Sequence, residues 1–207
     1  MSRDLPQLRV VGDLSGLPDA VMGPRSLVWW GTFGFMLIEG TGFVLAAGAL
    51  LYLSAQSPHW PPVGDHLPDL GFGTAFTALI LLSALPNLWL ERRARRCDLV
   101  ACRWGLVVMS LIGVALLVLR GYELAHLNVR WDADAYGSLV WLLIFLHLTH
   151  VLTDLGDTLV ITAWLFTHEP GKAQFSDISD NAGYWSFVIL AWPPVYLLIY
   201  WLPRWSS

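Results

Sequence analysis

The chain has 207 residues, of which 56% are hydrophobic and 14% charged, with twelve tryptophans and a formal net charge of −4. With a mean hydropathy of +0.55, this composition indicates an integral membrane protein. Acidic and basic groups are segregated by loop, and the sequence lacks both a basic, aromatic surface pattern and a glycine-rich phosphate loop. Nucleic acid is therefore excluded as a partner.

Five apolar runs are long enough to cross a bilayer, which takes about 20 residues in a helix. Because backbone polar groups in lipid must be paired within a helix or a closed barrel, and strand patterning is absent, we predict helices. The spans are expected near residues 26–53, 70–90, 99–124, 138–166 and 183–202. The predicted fold is all-α: a bundle of five transmembrane helices over residues 26–207, preceded by a cytoplasmic N-terminal tail over residues 1–25.

Positive charges flanking the spans predict the orientation of the bundle. Arginines precede the first span, a cluster at 92–96 follows the second, and Lys172 follows the fourth. The opposite side carries fewer basic residues. We therefore expect the N-terminus inside and the C-terminus outside.

Two glutamates lie within or beside these spans. Glu39 is in the middle of the first apolar run, where an acid costs about 2.5–3.5 kcal/mol on insertion scales and is a functional candidate by default. It is expected either on a proton path or lipid cleft, or hydrogen-bonded in its neutral form to a neighbouring helix. Glu123, at the end of the third span, is expected at the membrane interface, with Arg120 three residues earlier as a possible partner.

The fourth span carries four ionisable residues on one helix face: His147, His150, Asp154 and Asp157. Such a stripe must face the bundle interior, a cleft or another subunit. Three interpretations are open. The stripe is a polar packing seam, part of a proton or lipid-headgroup site, or a transition-metal site in which the histidines bind with an aspartate or Glu39.

Several aromatic residues are expected at the membrane interface or against lipid, where an amphipathic ring suits the headgroup region. They are Trp29, Trp30, Trp60, Tyr184 and Trp185.

Five segments, taken together and in order, resemble subunit III of the haem–copper terminal oxidases in its short, five-span bacterial form. The segments are 29–43, which begins Trp-Trp-Gly and holds Glu39; 59–64, His-Trp-Pro-Pro-Val-Gly; 120–123, Arg-Gly-Tyr-Glu; 136–151, which begins Tyr-Gly-Ser and holds both histidines of the stripe; and 183–201, which begins Gly-Tyr-Trp-Ser-Phe-Val.

The resemblance implies a non-catalytic subunit of a cytochrome c or quinol oxidase in the bacterial inner membrane. It implies that the chain binds phospholipid but no cofactor, that haem and copper lie in partner subunits, and that the partners are catalytic subunit I and subunit II. It also implies a role in stabilising subunit I and supporting proton uptake. Glu39, Glu123, His147 and His150 are the resulting candidates for a proton path or lipid cleft.

The chain also departs from the family pattern. Leu148 and Asp154 stand where the family has glycine, Ser186 stands where it has histidine, and Asp157 is a further acid. Two alternatives follow: an accessory membrane subunit of a nitric oxide reductase, or a divergent paralogue with a His/Asp metal site in the fourth span.

Overall fold

A computed structural model of the chain describes residues 22–62 and 66–206. Over these residues it contains helices and no strands, and five helical segments are long and apolar enough to cross a membrane. The predicted all-α fold with five spans is confirmed. The predicted N-terminal tail lies outside the described residues except for its last four, and the orientation of the bundle stays a prediction.

The helices connect through short loops. They are α1 (Leu27–Gln56), α2 (Leu70–Leu82), α3 (Ala84–Ala94), α4 (Leu99–Ala125), α5 (Ala135–Thr167), α6 (Lys172–Tyr196) and α7 (Leu202–Ser206), with a π-helical segment (Leu197–Trp201) joining the last two. The second span consists of α2 and α3, and the fifth begins with α6. The fifth span thus starts with α6 at Lys172, well before residue 183, where its apolar run was expected to begin.

Polar residues set several helix starts. Asp69, Asp98 and Asp134 are N-caps whose side chains accept hydrogen bonds from the backbone of the first turn of α2, α4 and α5, at 2.8–3.2 Å. Such caps satisfy backbone donors that the helix itself leaves unpaired. Pro86 lies in the first turn of α3, where a missing N–H costs no helical hydrogen bond.

The core of the bundle lies around α4, α5 and α6. Helix α6 packs against α1, α2, α3 and α5, whereas α1 packs against α5 and α6 at the edge of the bundle. Of the 30 residues of α1, three are buried: Phe43, Ala46 and Leu50. Helix α1 therefore leaves most of its surface exposed and forms one wall of any cleft beside α5 and α6.

Gly73 marks the closest approach between α2 and the end of the fifth span. A Cβ atom added at residue 73 would overlap the Tyr200 ring, with the ring carbon Cε1 at 2.9 Å. Tyr200 is fully buried, so its ring has no open space to move into. The absence of a side chain at residue 73 therefore determines where the Tyr200 ring can lie.

We expect Gly73→Ala to lower the free energy of unfolding by about 1–3 kcal/mol, because the overpacked Tyr200 ring must shift. The measurement is thermal unfolding of the detergent-purified chain, followed by tryptophan fluorescence. Gly48→Ala is the matched control, since no atom lies within 4 Å of its new Cβ. The control should be unchanged or slightly stabilised, because alanine is the better helix former; equal melting temperatures for the two variants would contradict the prediction.

Candidate functional site: a buried ionic cluster and an acidic cavity

Four side chains form a buried ionic cluster in the core, namely Arg120, Glu123, His147 and Tyr200. Arg120 donates to Glu123 Oε2 at 2.7 Å and to His147 Nδ1 at 3.1 Å, and the Tyr200 hydroxyl donates to Glu123 Oε1 at 2.6 Å. Because arginine has donors only, His147 Nδ1 must accept, and its Nε2 then donates to the Val188 carbonyl oxygen at 3.0 Å. His147 is thereby held neutral, with both ring nitrogens engaged.

Aromatic rings enclose the Arg120 guanidinium of this cluster. Its central carbon lies 3.6 Å from the Phe76 ring centroid and 4.1 Å from that of Trp192, distances at which cation–π attraction is favourable. Trp192 is itself oriented by donation to Thr77 Oγ1 at 2.7 Å. The charge is therefore compensated by a carboxylate on one side and by two ring faces on the other.

The position of Glu123 corrects the expectation of an interfacial acid. Both Glu123 and Arg120 are at most 2% exposed, although they lie in the last turns of α4. The neighbouring helices cover this end of α4, and Tyr200 reaches it from the π-helical segment. Whether a residue at a span end is buried depends on which other helices pack over it, and the sequence around that residue does not specify them.

A second polar site is an acidic cavity of about 450 Å³ between α1, α5 and α6. Five carboxylates line it: Glu39, Asp154, Asp157, Asp177 and Asp180. Asp154 and Asp180 are buried, whereas Asp157 and Asp177 are exposed at its edge. Three of these acids were anticipated from the sequence, and the cavity brings them together with two that were not.

Glu39 is held on one wall of the acidic cavity. It accepts a hydrogen bond from the Tyr184 hydroxyl at 2.7 Å, and its Oε1 lies 3.5 Å from His150 Nε2. His150 Nδ1 donates to the Leu146 carbonyl oxygen at 2.5 Å. With Nδ1 donating, Nε2 of the neutral ring is an acceptor, and it faces the Glu39 carboxyl group.

The other end of the stripe is organised by Asn181 on α6. Its side-chain nitrogen donates to Asp157 Oδ2 at 3.1 Å and to Asp154 Oδ1 at 3.4 Å, while its oxygen accepts from Thr158 at 3.2 Å. The stripe thus runs from the buried ionic cluster, through the bundle interior, to the edge of the acidic cavity.

The hydrogen bonds of His147 oppose the interpretation of the stripe as a metal site. A metal bound by His147 would have to displace its hydrogen bond with Arg120 or with Val188. Within residues 22–62 and 66–206, no three His, Cys, Asp or Glu side chains converge closely enough to hold a metal ion.

Two of the expected interface aromatics lie elsewhere. Trp60 and Trp185 are 5% and 3% exposed: Trp60 packs on Tyr136 with ring centroids 5.1 Å apart, and Trp185 donates to Ser83 Oγ at 2.9 Å. Trp30, by contrast, is 54% exposed, in keeping with a lipid or interface position. Tryptophan is amphipathic in both settings, so residue type alone does not separate them.

Sequence reasoning also missed residues of both sites. The sequence suggests Arg120 only as a partner of Glu123, and Asp177, Asp180 and Asn181 fall between the predicted fourth and fifth spans. The signal that could have found them is the helical spacing of 177, 180, 181 and 184, which continues the face of Tyr184 toward the N-terminus of α6.

Fold and sites together define a class of protein: a five-span helical membrane protein whose ionisable groups form an internal seam that ends in an acidic cavity. Comparison with known proteins places it more narrowly. The chain is 27% identical to cytochrome c oxidase subunit 3 of Drosophila yakuba over 186 residues, which cover 83% of this chain and 68% of that protein.

Other relatives carry the same name. Cytochrome c oxidase subunit 3 of Anopheles gambiae is 27% identical over 192 residues, covering 86% of this chain and 69% of the relative. The Synechocystis protein is 23% identical over 181 residues, covering 86% and 77%. No protein-family model matches the chain. The similarity supports a haem–copper oxidase subunit III, and the resemblance seen in the sequence motifs is confirmed.

Removing Arg120 while keeping Glu123 should destabilise the bundle strongly. We expect Arg120→Met to cost about 3–5 kcal/mol, because it leaves Glu123 buried without its cation. Adding Glu123→Gln to this variant should restore part of the loss, since the uncompensated charge is removed. Unfolding of the two variants and of Glu123→Gln alone in detergent completes the double-mutant cycle.

Arg130→Met is the control for this cycle. Arg130 pairs with Asp132 at 2.8 Å in an exposed loop, where its hydrogen bonds lower the pKa of the Asp132 carboxyl. Exposed pairs contribute little to stability, so this variant should unfold like the unmodified chain. Strict additivity of the Arg120 and Glu123 effects would show that the buried pair is not coupled.

Proposed function

We propose that the chain acts as the third subunit of a haem–copper terminal oxidase in aerobic respiratory electron transport. In this role it carries no redox centre of its own. It binds phospholipid, stabilises catalytic subunit I, which with subunit II carries the haems and copper, and supports proton uptake. Its electron donor is cytochrome c or quinol, and its setting is the bacterial cytoplasmic membrane with the N-terminus inside.

The observation that carries the proposal is the similarity to cytochrome c oxidase subunit 3 over 83–86% of the chain. Relatives from insects and from a cyanobacterium carry this name. Similarity that extends along most of a chain supports a shared fold and a shared place in the complex better than one motif does.

The buried polar groups contact one another inside the bundle, which is consistent with a supporting subunit. The buried polar contacts of Arg120, Glu123 and His147 are made to one another, to Tyr200 and to the Val188 backbone, and at most 2% of each of the three residues is exposed. A stable core of this kind is suited to holding helices in place beside a catalytic partner.

A role in proton uptake would rest on the Glu39–His150 pair. These groups are 3.5 Å apart beside a cavity large enough for water, and one proton can lie on either of them. Such a pair can accept a proton from water in the cavity and release it again without moving the helices.

Co-purification tests the proposed complex. The tagged chain is expressed in its source cell or with its neighbouring oxidase genes, extracted in mild detergent, and examined by absorbance spectroscopy and metal analysis of its partners. Bands of haem a or haem o with copper in larger partner chains are expected. Haem without copper, together with nitric oxide reduction, would instead indicate the reductase alternative, and a metal stoichiometric with this chain alone would indicate the metal site.

Glu39→Gln should leave assembly intact but slow turnover or shorten the active lifetime several-fold. Glutamine still accepts the Tyr184 hydrogen bond but does not titrate. Turnover is followed as oxygen consumption over time in the purified complex. Tyr184→Phe is the control: it removes the hydrogen bond and keeps the acid, so it should retain turnover. Unchanged rate and lifetime in Glu39→Gln would remove Glu39 from the proton path.

A further inference from the structure

Two carboxylates of the acidic cavity are buried without a full set of partners. Asp180 is 8% exposed, and neither of its oxygens has a hydrogen-bond partner. Asp154 is 3% exposed; its Oδ2 has no partner and its Oδ1 accepts one long bond from Asn181. Leaving a buried acceptor unpaired is unfavourable, and more so when the group is charged. Both residues line the cavity, so a ligand there could satisfy them.

Among the described residues, no lysine, arginine or histidine forms an ion pair with these two aspartates. None of the described residues that line the cavity is a lysine or an arginine. Arg95, at the end of α3, is close enough to attract the Asp180 carboxylate, but its hydrogen bonds go to Glu91 at 2.7 and 3.2 Å. The ion pairs found within residues 22–62 and 66–206 include neither Asp154 nor Asp180. Asp154 and Asp180 therefore line the cavity without an ion-pair partner among the described residues.

The geometry of the lining favours one class of cation. The acids do not converge in a group of three that could hold a metal ion, as far as the described residues show. They are instead spread over a space of about 450 Å³ that also presents the aromatic rings of Phe35 and Tyr184. An ammonium group suits this arrangement, because its N–H groups can reach separate acceptors and its charge is attracted to ring faces.

We propose that the acidic cavity binds an ammonium group, which donates hydrogen bonds to Asp154 and Asp180. The ammonium belongs to an aminophospholipid headgroup or to a small free amine. Anionic headgroups are disfavoured there by like charge. Asp154 replaces a glycine of the family pattern and Asp157 is an added acid, so this selectivity belongs to the present chain. The lipid source of the ammonium rests on the proposed lipid-binding role, whereas ammonium binding itself does not.

An apolar cavity of about 730 Å³ lies on the other side of the contact between α1 and α6. It is lined by Phe33, Leu37 and Val44 of α1 and by Phe187 and Leu190 of α6, among others. Space for hydrocarbon near the acidic cavity is what a lipid source of the ammonium would use.

The test is lipid and amine binding by the purified full chain, without oxidase partners. The chain is reconstituted in nanodiscs that contain equal amounts of phosphatidylethanolamine and phosphatidylglycerol. It is then extracted, the loosely bound lipid is removed, and the lipids that stay bound are counted by native mass spectrometry. The unmodified chain should retain phosphatidylethanolamine about tenfold over phosphatidylglycerol, which corresponds to about 1.4 kcal/mol. In a second arm, ethanolamine should raise the melting temperature of the lipid-free chain.

Four variants make the test specific. Asp154→Asn and Asp180→Asn should each abolish the lipid preference or the ethanolamine shift. Asp177→Asn, at the exposed edge of the cavity, should weaken them and is the variant least at risk of misfolding. Asp132→Asn, an acid in an exposed loop, is the matched control and should bind like the unmodified chain.

A tethered competitor gives the reverse signal. Val28 lies at the cavity and is 62% exposed, so Val28→Lys can place its own ammonium in the cavity and should displace both ligands. Binding of ethanolamine without lipid retention would identify a free amine, and lipid retention would identify the headgroup. Equal retention of both lipids with no ethanolamine shift, or equal effects of Asp132→Asn and Asp180→Asn, would overturn the proposal. The assay contains no oxidase partner and measures no turnover. Failure of the chain to bind ammonium can therefore be distinguished from its failure to join an oxidase.

Discussion

The ion pair of Arg120 and Glu123 is the constraint on which the rest of the bundle depends. A charged pair inside a membrane domain is stable only if nearby protein groups compensate its charges, because water is not available to do so. Arg120 Nε has no hydrogen-bond partner among the described residues, and the Phe76 and Trp192 rings face the guanidinium. Here the surrounding groups come from separate elements: Phe76 from α2, His147 from α5 and Tyr200 from the π-helical segment. Satisfying one ion pair therefore sets the relative positions of four parts of the chain.

The same constraint connects the two polar sites. His147 belongs to the buried ionic cluster and His150 faces Glu39, one helical turn away, with the Phe43 ring beside both histidines at 6.3 and 5.0 Å between centroids. A polar seam thus runs along α5 from the core to the acidic cavity. His147, at one end of the stripe, lies in the core, whereas Asp154 and Asp157, at the other end, line the acidic cavity.

Residues in the segments that resemble the family and residues that depart from that resemblance meet at the acidic cavity, which Glu39 lines together with Asp154 and Asp157. Glu39 and the histidines follow the family segments, whereas the acids at 154 and 157 break them. These departures lie at the cavity, whose described lining contains no lysine or arginine. A general supporting role and a chain-specific ligand preference can therefore coexist, because the core and the cavity make separate demands on sequence.

The sequence by itself determined the class of protein, the number of spans and the face shared by His147, His150, Asp154 and Asp157. These are properties of contiguous residues, because hydropathy, helix length and the 3.6-residue period act within one helix. Tertiary structure decided the features that depend on contacts between helices, which the 3.6-residue period of a single helix does not contain. It buried Glu123 and Trp185 by covering them with other helices, and it extended α6 back to Lys172 through residues too polar to read as a span. It also brought Asp177 and Asp180 to the cavity that Glu39 lines. Burial and convergence depend on neighbours distant in sequence, and a single chain read residue by residue contains no measure of those distances.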